Sequence, residues 1–259
     1  MMLRLRVMTF NLRFENDFDG ENHWNNRRDL LVRTILKYRP HVVGTQEGKP
    51  SQLRFLSENL DGYRISATSR HWDEYCQYPT LYYLDEFFSL AEDGEFWLSK
   101  TPEIHLSKDW DSAFPRMMSF ALLQVRNTSL RLWFSVTHLD HVSQRARIEG
   151  ARMLGHWAAN REGPTILAGD FNDFPGSEVH RILTGARGLF ADSWETLGKR
   201  EDERSYTHHA FTGIPCKGRI DWILADPDIR VLDAGIVFDH EGDRYPSDHF
   251  PYWVDLELA

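Results

Sequence analysis

The sequence predicts an α/β fold in which two mixed β-sheets pack face to face with helices on the outside. Three observations predict it. Helical patterns follow the early strands, hairpin-like β texture fills the middle, and strands return in the last third, an order that does not suit a purely parallel sheet. The composition can support a core of that size. Its 259 residues are 41% hydrophobic and 13% aromatic, which excludes global disorder. No linker, repeat or low-complexity stretch divides the chain, so residues 1–259 read as one domain.

Each element has its own signal. From Met1 to Met8 apolar and basic residues alternate, and the run through residues 3–10 into Asn11 reads as a first strand. A signal peptide would separate its basic and apolar parts. Leu31, Ile35 and Tyr38 share one face of a helix from about Trp24 to Tyr38, which Pro40 stops. His41 to Gln46 is a short apolar run that delivers Glu47 at its end, and Pro50 opens a second helix through about Leu60. The region from Gly62 to Val136 is mostly β, with strands at 63–67, 81–83, 87–90, 96–98, 119–125 and 130–136. Asn127-Thr128-Ser129 marks a hairpin turn between the last two. A helix from about Ser143 to Asn160 precedes a strand at 165–168 that runs into Gly169-Asp170. Further strands follow near 220–224, 231–237 and 252–256.

Composition also limits the functions open to the chain. No run approaches the ~18 apolar residues that a membrane span needs. Cys76 and Cys216 match neither a zinc spacing nor a disulfide framework, so a reducing, cytoplasmic setting is the expectation. With 30 Lys+Arg against 39 Asp+Glu the net charge is −9. That argues against tight nonspecific binding to nucleic acid, which rests on Lys/Arg contacts to phosphate. No protein partner is evident.

Six apolar segments end in a carboxylate, amide or imidazole: Thr9-Phe10-Asn11, Thr45-Gln46-Glu47, Val136-Thr137-His138, Ala168-Gly169-Asp170-Phe171-Asn172, Arg219-Ile220-Asp221-Trp222 and Ser247-Asp248-His249-Phe250-Pro251. Strands that end on one edge can aim these groups at a common point. Oxygen ligands with one or two carboxylates suit a hard divalent cation such as Mg²⁺, and Glu47 with Asn11 and Asp248 fits that description. Taken singly, each has an ordinary reading: Asn11 as a strand-end cap, Asp170-Phe171-Asn172 as a turn, His138 and His141 as strand-end histidines. Asp221 is the exception, because an unpaired carboxylate between Ile220 and Trp222 is costly to bury.

As a set, in this order, they resemble the endonuclease/exonuclease/phosphatase superfamily of metal-dependent phosphoesterases. The resemblance runs from Met8-Thr9-Phe10-Asn11 to Ser247-Asp248-His249-Phe250-Pro251. It is most specific at Gly169-Asp170-Phe171-Asn172 and Ser247-Asp248-His249. Phe96-Trp97-Leu98-Ser99 and Pro115-Arg116 look like the bacterial branch. The resemblance implies a four-layer α/β sandwich and a Mg²⁺-dependent hydrolase, with Mn²⁺ as a substitute, acting on a phosphodiester or phosphomonoester. It implies that Glu47 is the principal metal ligand, with Asn11 nearby and Asp248 joining directly or through water. Asp170 then orients or deprotonates the attacking water, and Asn172 bonds the scissile phosphate or that water. His249 contacts a phosphate oxygen, with Asp221 setting its tautomer. His138 supports charge developing on phosphorus, with Glu74 as its carboxylate partner. The segment Asp73–Pro79 is longer than the family's usual version, which puts Glu74 in question.

Arg116 reads equally as a bidentate phosphate contact and as a surface residue, and Asp140 and His141 stand close enough in sequence to line the same pocket. The net charge favours a small-molecule, sugar or lipid-headgroup phosphate as substrate. An endo- or exonuclease is the alternative, and a catalytically silent binding module a second. A zinc or iron hydrolase using His138 and His141 is disfavoured, because strand alternation separates residues three apart. Loops near 69–80, 105–116 and 200–216 are the expected determinants of specificity.

Overall fold

The computed structural model describes residues 2–185 and 188–258; Met1, where the alternation of apolar and basic residues begins, lies outside them. The strands are β1 (Leu3–Asn11), β2 (Val42–Gly48), β3 (Tyr63–Ser66), β4 (Tyr78–Leu84), β5 (Phe88–Trp97), β6 (Met117–Val125), β7 (Arg131–His138), β8 (Thr165–Asp170), β9 (Ala191–Asp192), β10 (Asp221–Ala225), β11 (Arg230–Ile236) and β12 (Tyr252–Leu258). The helices are α1 (Trp24–Tyr38), α2 (Pro50–Asn59), α3 (Gln144–Ala159), α4 (Glu178–Thr184) and α5 (Ser193–Thr196). One six-stranded sheet has the order β11-β12-β1-β2-β4-β3 and the other β5-β6-β7-β8-β10-β9. Each has a parallel pair at its centre, β1 with β2 and β7 with β8, flanked by antiparallel neighbours.

Strand alternation divides the apolar residues into layers. Val7, Val42, Val136, Ile166, Ala168, Ile223 and Val254 face inward and form the core between the sheets. Their neighbours Met8, Phe10 and Val43 face the other way and pack with Leu31 and Ile35 of α1 and Leu53 and Leu56 of α2. On the second sheet Leu167, Trp222 and Leu224 pack with Leu154 and Trp157 of α3 and Val179 and Leu183 of α4. Four layers result, α/β/β/α. The sheets approach closely at Gly44, where a Cβ would stand 3.0 Å from Val136 Cγ2.

Local signals account for the helix ends. Ser143 Oγ accepts from Ala146 N at the start of α3, Pro50 opens α2, and Arg39 closes α1 in a left-handed conformation before Pro40. Two features differ from the sequence reading. The strands expected at 87–90 and 96–98 merge into the single strand β5, Phe88–Trp97, which has a bulge between Leu90 and Glu92. The polar run 91–95 suggests a turn, yet on an edge strand such residues face solvent and protect the edge. The short α4, β9 and α5 carry too few residues for a periodic signal and were not foreseen.

Candidate active site

The C-terminal ends of β1, β2, β7 and β8 meet at one edge of the two sheets, joined there by the start of β10 and the loop before β12. Register sets the neighbours of Asp170. It lies beside His138 across the parallel β7–β8 ladder and opposite Asp221 across the antiparallel β8–β10 ladder. Gly169 makes this approach sterically feasible: a Cβ there would collide with the carbonyl oxygen of Thr137.

Asp170 Oδ2 is the hub. Asn11 Nδ2 donates to it at 3.0 Å and to Glu47 Oε1 at 3.1 Å, so two carboxylate oxygens converge on one amide. His138 Nε2 stands 3.4 Å and His249 Nε2 3.8 Å from the same oxygen. Asn172, with a left-handed backbone, donates its own N–H to Asp170 Oδ1 at 2.9 Å. Its side-chain Nδ2 pairs with His138 Nε2 and donates to Leu139 O, each at 3.0 Å. Those two bonds use both amide hydrogens, so Nε2 of His138 is the acceptor. Asn172 therefore orients His138 and leaves its Oδ1 as the open group. Asp221 Oδ2 pairs with His249 Nδ1 at 2.8 Å, while Asp221 Oδ1 is buried without a partner among the described residues.

Burial and neighbouring charges shift these groups in different directions. Burial, reinforced by the Asp221 carboxylate, pushes Asp170 up to about 7. His249 rises to about 10: burial alone would lower it, but the carboxylates of Asp221, Asp170 and Asp248 outweigh burial. His138, buried with Arg116 and His249 nearby, lies well below the usual histidine range.

Glu47 adopts a left-handed backbone where β2 loses register with β4, and Phe14 N donates to its Oε2 at 3.1 Å. Backbone strain of this kind costs ~1–3 kcal/mol and collects at functional sites. Asp248 is placed otherwise than its sequence grouping with Glu47 implies. Its donor atoms converge with those of His208 and His249, whereas those of Glu47 converge with His138 and Asp170. Asp248 reaches the Asn11 end through Ser247, whose Oγ bonds both Asn11 O and Asp248 Oδ1, and through Arg13 at 4.0 Å.

Glu74 is a correction. It is exposed on a turn and makes neither a hydrogen bond nor an ion pair with His138 among the described residues. Asp73 accepts from Tyr75 N and from Cys76 N, which closes that turn with Glu74 on its outside. Asp140 does not line a pocket either. It is buried, accepts from the backbone of Ala113, Phe114, Val142 and Ser143, and pairs with Arg116 at 3.5 Å. Those backbone donors help to hold its carboxyl down at about 2, against burial. Arg116 is itself buried, with His141 Nδ1 3.1 Å from its Nη2, so the surface reading fails. His141 is exposed beside it.

Two contributors were missed from the sequence. Arg27, fully buried on α1, donates to the carbonyls of Asn22, Leu12, Arg13 and Pro246, which ties the exit of β1 to the loop that carries Asp248. The signal was present, because Trp24, Arg27 and Leu31 share one helix face. His208 lies edge-on to His249 with ring centroids 4.9 Å apart.

The sequence profile of the Endonuclease/Exonuclease/phosphatase family matches residues 8–249, which spans every strand end described above. The chain belongs to this family. Members are hydrolases of phosphate ester bonds, and this protein is a phosphoesterase. A structure of a family member from Bacteroides thetaiotaomicron superposes with a TM-score of 0.90 at 27% identity, covering 100% of this chain and 99% of that one. A mannosyl-6-phosphatase of Bacteroides thetaiotaomicron VPI-5482 superposes with a TM-score of 0.86, also at 27% identity, over 97% of this chain and 99% of that one. Nocturnin of Xenopus laevis is 24% identical across 98% of this chain and 72% of its own length. The family depends on divalent metals, and the donor set fits one. Glu47 Oε1, held by Asn11 beside Asp170 Oδ2 at a buried edge, is a hard ligand for a hard cation, and two adjacent carboxylates give the site the negative charge a cation would offset.

Proposed function

We propose that this phosphoesterase hydrolyses a small phosphate ester, a sugar or lipid-headgroup phosphate, by in-line attack of a water that Asp170 orients and deprotonates. The central position of Asp170 Oδ2, within 3.0–3.8 Å of Asn11, His138 and His249, carries the reading. A base must stand within hydrogen-bond reach of the proton it takes, and only a buried, braced carboxylate stays there. His249, held by Asp221, offers a charged donor to a phosphoryl oxygen, and Arg116 offers a second. Asn172 and His138 brace the base. Glu47 would hold Mg²⁺, or Mn²⁺ in its place, with Asn11 Nδ2 steering its Oε1 and Asp248 at one remove. When bound, the ion supplies positive charge to the phosphate oxygens.

The net charge of −9 supports a small substrate over nucleic acid, as does the likeness in structure to a mannosyl-6-phosphatase. The test is a panel of sugar phosphates, glycerophosphodiesters, and single- and double-stranded nucleic acids, each assayed with Mg²⁺. Preference for the small esters is expected. Faster cleavage of nucleic acid would overturn the substrate assignment.

A further inference from the structure

Two loops rise past the strand ends on the Arg116 side. One carries Asp73, Tyr75 and Gln77, the other Phe114, and between them lies a cavity of about 210 Å³ that ends on Arg116. Two aromatic side chains stand out from its walls: Tyr75 is 91% exposed and Phe114 53%. The Phe114 backbone is nonetheless pinned. Asp140 accepts from Ala113 N and Phe114 N, Ser112 Oγ donates to Phe114 O, and the ring stacks on His141 with centroids 5.8 Å apart. A rigid backbone thus presents an apolar face to solvent, an arrangement that marks a ligand surface better than loose packing would.

The other groups at the cavity are polar and under-used. Asp73 Oδ1 accepts from Tyr75 N, while its Oδ2 and the Gln77 carboxamide have no hydrogen-bond partner among the described residues. At the inner end Arg116 is buried, with its Nε 3.5 Å from Asp140 Oδ2 and its Nη2 3.1 Å from His141 Nδ1. Arg116 lines the cavity and immediately precedes β6, whose Met118 pairs with Thr137 next to His138, so the cavity adjoins the edge that carries the cluster.

We propose that this cavity is the leaving-group site and that it takes one polyhydroxylated six-membered ring, a pyranose or a cyclitol. The proposal rests on the phosphoesterase reading above. In it, water oxygen bonds to phosphorus, the bond from phosphorus to the ring's ester oxygen breaks, and the ring leaves as an alcohol that has gained a proton. The ring's C–H face lies on Phe114 and Tyr75. Its hydroxyls meet Asp73 and Gln77. At 210 Å³ the cavity falls below the roughly 300–1,000 Å³ of sites for drug-sized ligands, which suits one ring and not a base with its sugar.

The test is calorimetric binding to the Asp170→Asn protein in Mg²⁺, where turnover does not consume the ligand. Glucose 6-phosphate, inositol 1-phosphate, adenosine 5′-monophosphate and methyl phosphate are compared. At least one ring phosphate should bind about tenfold or more tighter than methyl phosphate, and which of the two does so separates pyranose from cyclitol. That margin should fall at least fivefold in Tyr75→Ala/Phe114→Ala, whose side chains are exposed and support no core. Equal binding of all four ligands, an equal or larger margin for the nucleotide, or a margin that survives the double substitution would overturn the proposal. Hydrolysis by the unsubstituted protein is read separately. Turnover without a ring margin rejects the leaving-group site alone, and a ring margin without turnover of any ester leaves a ring-binding cavity while overturning both its leaving-group role and the proposed hydrolysis.

Discussion

Asp170 lies between His138 on one neighbouring strand and Asp221 on the other, and each contact has a consequence that can be measured. Asp170→Asn keeps the shape but loses the base, so turnover should fall by ~10²–10⁴-fold while the circular dichroism spectrum is unchanged. Asp140 supports the site from behind. Its carboxyl sits at about 2 in the fold against an ordinary 3.8, so it stabilises the folded state above pH ~4 and loses that effect as pH falls toward 2. The shift corresponds to about 2 kcal/mol. Asp140→Asn should cost roughly that amount in urea unfolding at pH 7, with the two proteins converging as the pH drops through that window. At this scale the sequence was legible where a polar residue closes an apolar run, as at Asn11, Glu47, His138 and Asp170. It misled at Glu74, because the turn made by Asp73 decides which way Glu74 points, and residue type does not encode that. It carried only a positional hint of Arg27, which shares a helix face with Trp24 and Leu31, since a polar residue in a helix reads as solvent-facing until its carbonyl partners are known.

Among the elements, the β7–β8 pair sets the distances at the site. Gly169→Ala would force a Cβ into the Thr137 carbonyl, so it should cost several kcal/mol, more than the typical ~1 kcal/mol of a point substitution, and should separate His138 from Asp170. Urea unfolding measures the first effect and loss of turnover the second. Helix α1 contributes through Arg27. Arg27→Met leaves the buried carbonyls of Leu12 and Pro246 without their donor, at roughly 1–3 kcal/mol each. Unfolding midpoints should shift accordingly, and metal affinity should weaken because Asn11 and Asp248 flank those carbonyls. Helix α1 was legible from its hydrophobic spacing and α2 from the proline that opens it. The edge strand β5 was read as two, since its exposed middle lacks the alternation that a half-buried strand displays.

At the scale of the whole molecule, two sheets bring residues from position 11 to position 249 to a single edge. The order of the motifs along the chain disclosed that gathering, but the sequence could not show that Asp248 converges with His208 rather than with Glu47. A bound cation links stability to site integrity. At a hundred times its dissociation constant an ion adds about 2.7 kcal/mol, so Mg²⁺ should raise the thermal midpoint by several degrees. Glu47→Gln should abolish most of that rise. The central claim is that Asp170 drives metal-dependent hydrolysis of a phosphate ester. The direct measurement is hydrolysis of a sugar phosphate and of a bis-aryl phosphodiester after chelation, and again after Mg²⁺ is restored, by the unsubstituted protein and by Asp170→Asn. The structure predicts turnover that returns with Mg²⁺ in the former and is nearly absent in the latter. Turnover indifferent to chelation, or retained in Asp170→Asn, would contradict it.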